Sequence, residues 1–418
     1  SSRTSLAGGE RVRGVKMAGS LRRALVLNAG SSSLKYALFE VRSRLDTVVR
    51  CSGLAERLGS REAQLTHECA DGSKNTTKQE IPSMGDAVES VVRNITSELH
   101  GESVHVVGHR VVHGGEHFST PAIVNDDVEA AIESVVPLAP LHNPSNLLCI
   151  REARKSFSSA PHVAVFDTAF HATMPPEAYR YALPDAIYRE HGVRKYGFHG
   201  SSYNFVVDAV ATELKKPKAE LNAIVMHLGN GASVACIKGG VSIDTSMGMT
   251  PLEGLVMGTR CGDVDPAVFS FLCALGHSPS DVDTILNKKS GLLGLFGKND
   301  MRAIRQAADG GDETAALARQ LFIKRIRKYL GAYLVNLHGE VDAIVFTAGI
   351  GEHDHDLRRR VCAGLGKFGI EIDDEKNAGC SELRQVQPSG HAGPAVMVVP
   401  TNEELSIALQ AIDVTQTR

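Results

Sequence analysis

The sequence predicts an α/β protein made of two related halves, and three observations carry that expectation. Short apolar runs alternate with longer segments of helical periodicity, the pattern of sheets covered by helices. A strand, a glycine turn and a second strand occur twice: aligning Leu27 with Leu228 brings Gly30 onto Gly231 and Ser32 onto Ser233, so each copy opens one half of the chain. Glycine is abundant, 40 of 418 residues, which demands much bare backbone in turns.

In chain order, run 24–28, the turn of Ala29, Gly30 and three serines, and the alternating run 34–40 read as a hairpin. Runs 104–112 and 162–166 look like buried strands, and 342–346 and 395–399 repeat that signal late in the chain. The second hairpin is expected from 224–228 and 234–237. Helices are expected over 83–99, 145–154, 202–214 and 313–337, the last with Leu317, Leu321, Ile326, Leu330, Leu334 and Leu337 at helix-compatible spacing. Segment 60–80 is polar and turn-rich, as exposed hairpins or loops are. Lys215, Lys216 and Lys218 around Pro217 read as a solvated turn. Residues 1–20 carry Arg3, Arg11, Arg13 and Lys16 against Glu10, which suits a disordered tail or an organelle-targeting leader.

Composition excludes several classes. A net charge of -3 provides no global positive field, so nucleic acid is not the expected partner. The longest apolar runs fall well short of the roughly 18 residues that a membrane span needs. Eight scattered cysteines with no CxxC pair read as reduced, mostly buried thiols of a cytoplasmic protein.

The chemistry concentrates in turns after strands. Asn28, Ser31, Ser33 and Lys35 supply an amide, hydroxyls and a cation around Gly30, which suits a phosphate as well as an ordinary serine-rich turn; it is not a Walker loop. His109, His113 and His117 recur every four residues, but Gly114 and Gly115 argue against the helix that would align them on a metal. Arg110, beside Val111 and Val112, suits either an ion pair or an anionic ligand. Asp167, at the end of an apolar run, suits a metal ligand or a helix cap. His199 follows Phe198 and precedes a helix start, where an anion is favoured. The loop of Gly248, Gly254, Gly258 and Gly262 carries Arg260, with Asp263 and Asp265 as candidate ion-pair partners. Gly349 and Gly351 form a third glycine turn, and Glu403 and Glu404 open the last helix.

Taken together, NAGSSSLKY, GHRVVHGGE, APLHNPSN, FDTAFHATMP, YGFHGSS, HLGNGAS, SMGMTPLEGLVMGTRCGD, FTAGIGE and TNEEL, in this order, resemble the acetate kinase family, within the acetate/butyrate kinase group of the sugar kinase and actin superfamily. The resemblance implies two duplicated actin-like (ribonuclease H-like) α/β domains with the active-site cleft between them. Domain bounds of 21–167 and 168–402 are expected, with the last helix, about 403–418, returning to the first domain. It implies reversible phosphoryl transfer from ATP to acetate by direct in-line transfer, with Mg²⁺ or alternatively Mn²⁺, in a homodimer. Arg110, Asp167, His199 and Arg260 are then catalytic. Val112, Leu141, Phe198 and Pro251 surround the acetate methyl. Asn28, Ser31, Ser33, Lys35, His227, Gly229, Asn230, Gly231, Asp300, Arg302, Gly349, Ile350 and Gly351 line the nucleotide and its phosphates, and Asn28, Asp167 and Glu403 attend the metal. Two positions depart from the family pattern: His353 where asparagine is usual and Tyr203 where a second histidine is usual. Propionate or butyrate as acceptor, pyrophosphate as donor, a metal-dependent hydrolase and a non-catalytic actin-like switch are the competing readings.

Overall fold

In the computed structural model, which describes residues 20–416, two mixed sheets carry helices on their faces. The first contains β1 (Arg22–Ala29), β2 (Ser33–Ser43), β3 (Asp46–Glu56), β4 (Gln64–Cys69), β5 (Lys74–Lys78), β6 (Val106–Val111), β7 (Ala122–Ile123) and β8 (His162–Phe166), in the spatial order β5-β4-β3-β2-β1-β6-β8-β7. The second contains β9 (Ala223–Leu228), β10 (Ala232–Lys238), β11 (Val241–Thr245), β12 (Ala343–Thr347), β13 (Arg384–Gln385) and β14 (Ala395–Val398), in the order β11-β10-β9-β12-β14-β13. The helices that bear on the cores and the site are α1 (Met84–Leu99), α2 (Asn143–Ser156), α3 (Gly200–Glu213), α4 (Met301–Asp309), α5 (Glu313–Asn336), α6 (Ala348–His353) and α7 (Glu403–Gln416). The expected leader, up to residue 19, lies outside the described residues.

The duplication is visible in the pairing. β1 pairs antiparallel with β2 and parallel with β6, which pairs parallel with β8. β9 pairs antiparallel with β10 and parallel with β12, which pairs parallel with β14. The order β3-β2-β1-β6-β8 therefore recurs as β11-β10-β9-β12-β14, and the weak sequence repeat falls on equivalent hairpins. A two-strand hairpin needs only its glycine turn, whereas the parallel neighbours need long crossovers, which the intervening helices supply. β8, β9, β12 and β14 are buried at every residue, as strands covered on both faces must be.

Although α7 ends the chain, it packs on the first sheet. Ile407, Ala408, Ala411 and Ile412 cluster with Val26, Val106, Val163 and Val165. Fully buried Ile407 alone contributes roughly 1.5–3 kcal/mol to that docking. This return places the acidic start of α7 beside the first sheet.

Two expectations need correction. Leu317 and Leu321 are exposed, and α5 buries Ala315, Ala318, Phe322, Ile326, Leu330 and Tyr333 instead. At about 100° per residue, Leu317 and Leu321 each sit one step off that stripe. The lysine turn is not simply solvated: Lys216 pairs with Asp342 at 2.7 Å and Lys218 with Asp208 at 2.7 Å. Segment 60–80 does contain an exposed hairpin, β4 with β5, and the eight cysteines are free thiols, most of them buried. Among the described residues, no helix is long and apolar enough to cross a membrane.

Candidate active site

The C-terminal ends of β1, β6 and β8, the start of α7 and the glycine turns of the second half converge, the usual ligand-facing end of an open α/β sheet. Arg110 projects from β6 and Asp167 follows β8, side by side because those strands are parallel neighbours. Arg110 Nη2 donates to Asp167 Oδ2 at 2.6 Å, Nε to the same carboxylate at 3.1 and 3.2 Å, and Nη1 to Asn28 Oδ1 at 3.2 Å. Burial opposes the charge on Arg110, but Asp167 and then Glu403 outweigh it and hold the guanidinium above its ordinary range. Glu404 of α7 pairs with Lys35 of β2 at 2.8 Å.

Burial pushes the Glu403 carboxyl up, and neighbouring Asp167 and Glu404 add to that effect against the pull of Arg110. Three acids crowd two cations here. The oxygen donors of Asn28, Asp167 and Glu403 are therefore a donor set that a hard divalent cation fits, and its charge would relieve the repulsion that Glu403 feels.

Across the cleft stands Arg260, in the glycine-rich loop. Asp263 is not its partner, being engaged with Gly254 N, Tyr329, Arg325 and Lys328. Arg260 Nη1 meets only the Pro251 carbonyl at 3.4 Å and Met257 Sδ at 3.9 Å. Burial, with the like charge of Arg110 second, lowers its pKa. Among the described residues it has no carboxylate partner, so the cleft presents a half-buried guanidinium facing a second one.

His199 lies within electrostatic reach of both. It holds a left-handed backbone (φ 60°) just before α3, and its ring stacks on His227 of β9 with centroids 4.0 Å apart. Nδ1 meets Ser233 Oγ at 2.9 Å, and that hydroxyl meets Tyr203 Oη at 2.5 Å. Burial foremost, then His227 and the two arginines, holds His199 well below the ordinary histidine range, so it is neutral. If Tyr203 donates to Ser233 and Ser233 to Nδ1, the proton resides on Nε2. Nε2 and Arg260 Nη1 both face Gly231, lying 3.4 and 3.7 Å from where a β-carbon there would sit. His227 is held to about 3 by burial and then by Arg110, and its Nδ1 meets Ser202 Oγ at 2.8 Å.

Beyond Gly229 and Asn230 opens a cavity of about 630 Å³, lined also by Asp300, Arg302, Gly349 and Ile350, all expected from sequence. Met301, Arg305, Gln306, Asp309, His353 and Asp354 complete its wall, and sequence reasoning missed all but His353. Asp300 has a structural task as well: it caps α4, accepting from Arg302 N at 2.8 Å. Gly258 is required because a β-carbon there would lie 1.8 Å from Asn230 Oδ1, so its bareness lets the Asn230 amide cross the loop.

The remaining expected residues distribute unevenly. Val112 and Phe198 are buried in one apolar cluster with Met247 and Met257, while Leu141 is 48% exposed. Ser31 is exposed at the first glycine turn and Ser33 half-buried. Gly351 lies within α6 and is not on the cavity wall. The three regularly spaced histidines form no metal centre. His109 bonds His162 at 2.9 Å, and His113 Nδ1 accepts from Gly115 N at 3.0 Å. His142 was not singled out from sequence, yet it feels Arg260, Arg110 and Asp167 together.

Comparison with known proteins adds independent findings. A model of the acetokinase family matches residues 23–409. An acetate kinase of Leifsonia xyli is 50% identical over 392 residues, covering 93% of this chain and 98% of the relative. One from Desulfovibrio desulfuricans is 46% identical over 403 residues, covering 94% and 99%. The crystal structure of Porphyromonas gingivalis acetate kinase superposes with a TM-score of 0.88 at 41% identity, covering 94% of this chain and all of that one (100%). A propionate kinase from Francisella tularensis gives a TM-score of 0.88 at 39% identity, with 94% and 99% coverage.

Proposed function

The chain belongs to the acetokinase family, and from that premise we propose that this cleft transfers the terminal phosphoryl group of ATP reversibly to acetate, giving acetyl phosphate and ADP. The observation that carries the reading is the half-buried Arg260 guanidinium, without a carboxylate partner among the described residues, close to Arg110 and to neutral His199.

An acetate carboxylate is already a nucleophile and needs no general base, so the protein must position the reactants and neutralise charge. Arg110 and Arg260 flank the acetate and the phosphoryl group in transit. Because His199 is neutral, Nε2–H donates to a phosphoryl oxygen without surrendering its proton, and the Asn230 amide assists from the second glycine turn. Gly229, Gly231, Asp300, Arg302, Gly349 and Ile350 attend the nucleotide, with Gly351 behind them within α6; Asn28, Ser31, Ser33, Lys35 and His227 attend its phosphates. Val112, Leu141, Phe198 and Pro251 shape the methyl pocket. Asp167, Glu403 and Asn28 would hold the divalent cation, which is Mg²⁺ with Mn²⁺ as the alternative; when bound it neutralises phosphate charge. Residues 21–167 with the last helix form one domain and 168–402 the other, and the protein works as a homodimer in the cytoplasm.

Likeness to a propionate kinase favours a second acceptor. One methylene in an apolar pocket discriminates by only about 1–3 kcal/mol, so propionate is turned over more slowly and not excluded. Trapping the acyl phosphate with hydroxylamine, using acetate, propionate and butyrate each with ATP, GTP or pyrophosphate, tests both readings. Acetyl hydroxamate from ATP is the expected dominant product. No acyl phosphate under any combination overturns the assignment.

A further inference from the structure

At the far side of the first sheet from the cleft, three different donors meet with no part in phosphoryl transfer. His67 and Cys69 stand two apart on β4 and so share a face, and Glu98 comes down from α1 above them. Glu98 Oε1 lies 3.4 Å from His67 Nε2 and 3.4 Å from Cys69 Sγ, and the three donor atoms all fall within 4.8 Å of one another. Among the described residues, no lysine or arginine pairs with the Glu98 carboxylate, and His67 Nε2 would form an ion pair with it only as imidazolium.

The surroundings are built to aim His67. Tyr36 on β2 reaches across β3 to place Oη 2.7 Å from His67 Nδ1, and Asn94, one turn before Glu98 on α1, donates to the same Oη at 3.1 Å. That reach depends on Gly53 of β3: a β-carbon there would lie 2.5 Å from the Tyr36 ring. With Tyr36 Oη accepting from Nδ1–H, the Nε2 lone pair points at a carboxylate oxygen and a sulfur. The Cys69 thiol donates to Glu98 Oε1; once that proton is lost, nitrogen, sulfur and oxygen acceptors converge, an arrangement that a cation stabilises, and an oriented imidazole is the usual support of a metal ligand.

We propose that His67 Nε2, Cys69 Sγ and Glu98 Oε1 form a binding site for a divalent cation of the zinc class, separate from the cation of the catalytic cleft. The nitrogen, sulfur and oxygen set selects a borderline-soft ion, whereas magnesium prefers oxygen alone. The His67 and Glu98 side chains are partly exposed, which leaves an entry path and room for water as a fourth ligand. Binding ties β4 to α1 and releases the thiol proton of Cys69.

The test titrates Co²⁺ into the full-length protein under a phosphine reductant. One equivalent should produce a thiolate-to-cobalt charge-transfer band in the near ultraviolet, which Zn²⁺ erases and millimolar Mg²⁺ does not. Cys69→Ser should abolish the band while kinase turnover with saturating Mg²⁺ stays at the wild-type level, a sign that the fold is intact. Tyr36→Phe should keep the band but weaken Co²⁺ binding about 10- to 100-fold. Absence of the band in the wild type, or its persistence in Cys69→Ser, overturns the site. Should Cys69→Ser fail to fold, Glu98→Gln and His67→Gln decide: unchanged Co²⁺ affinity in both refutes the proposal, and loss in both supports it.

Discussion

Arg110 and Arg260 face one space from opposite walls of the cleft, and they are held in opposite ways. Arg110 grows from a central strand and is locked to buried Asp167 by three hydrogen bonds and to Asn28 by a fourth. Arg260 stands on a glycine-rich loop and meets a carbonyl and a thioether. The first guanidinium has an acid to satisfy and serves the fold as well as the ligand. The second has no acid to satisfy it among the described residues, so burial and its neighbour lower its pKa where Asp167 raises that of Arg110. An active site can therefore contain one cation that stabilises the protein and another that strains it, and mutation separates them.

The largest combined effect should follow Arg110→Ala. Removing it takes a charge stabiliser from the transition state, lowering turnover by about 10³-fold, as loss of such a group commonly does. It also leaves Asp167 buried and unpaired, at about 3–5 kcal/mol of stability. Hydroxamate formation and urea unfolding measure the two losses. An undiminished unfolding midpoint would mean that Asp167 does not depend on Arg110.

A smaller loss is expected from the relay behind His199. Tyr203→Phe or Ser233→Ala removes a hydrogen bond that fixes the ring, so kcat should fall by about tenfold with KM unchanged. An equal rise in KM would place the effect on substrate binding instead.

Acid should then act on several depressed histidines at once. His199 is depressed by burial, His227 is held to about 3, and His113, His162 and His171 to about 4, in each case chiefly by burial. Groups whose folded pKa is lowered leave the unfolded chain binding more protons as pH falls below about 6.5. Stability should thus be full above that value and decline steadily toward pH 4. Urea midpoints taken in steps across that range check the sign, and a midpoint that rises on acidification contradicts neutral histidines.

Lys35→Met should matter least. Its pair with Glu404 is half in solvent, and such pairs contribute below about 1 kcal/mol. A larger loss of stability would show that the first glycine turn, like Arg110, is tied to the acids of α7.

Much of this was legible in the chain. Strands buried on both faces announce themselves as apolar runs, so β8, β9, β12 and β14 were expected nearly to the residue, and the repeated glycine hairpins pointed to the duplicated sheets. Asp167 and His199 were recognisable because each follows an apolar or aromatic stretch into a turn. The helical period misplaced Leu317 and Leu321, since alanines and Phe322 carry the buried stripe of α5. Contacts between distant segments left no local signal: Ser233 behind His199, Glu404 on Lys35, and Arg305 and Gln306 on the cavity wall are made by tertiary packing alone. The ambiguity over Arg260 was of the same kind, because Asp263 is near in sequence but is satisfied by α5.

The most direct test is Arg260→Ala, with acetyl hydroxamate formation from ATP and acetate measured beside the urea midpoint. The predicted result is a loss of turnover of about 10³-fold with the midpoint unchanged or slightly raised, because a repulsion disappears and no acid is orphaned. Near wild-type acetyl phosphate formation, or a loss of activity explained by unfolding, would contradict the claim that this guanidinium is held for an anionic ligand.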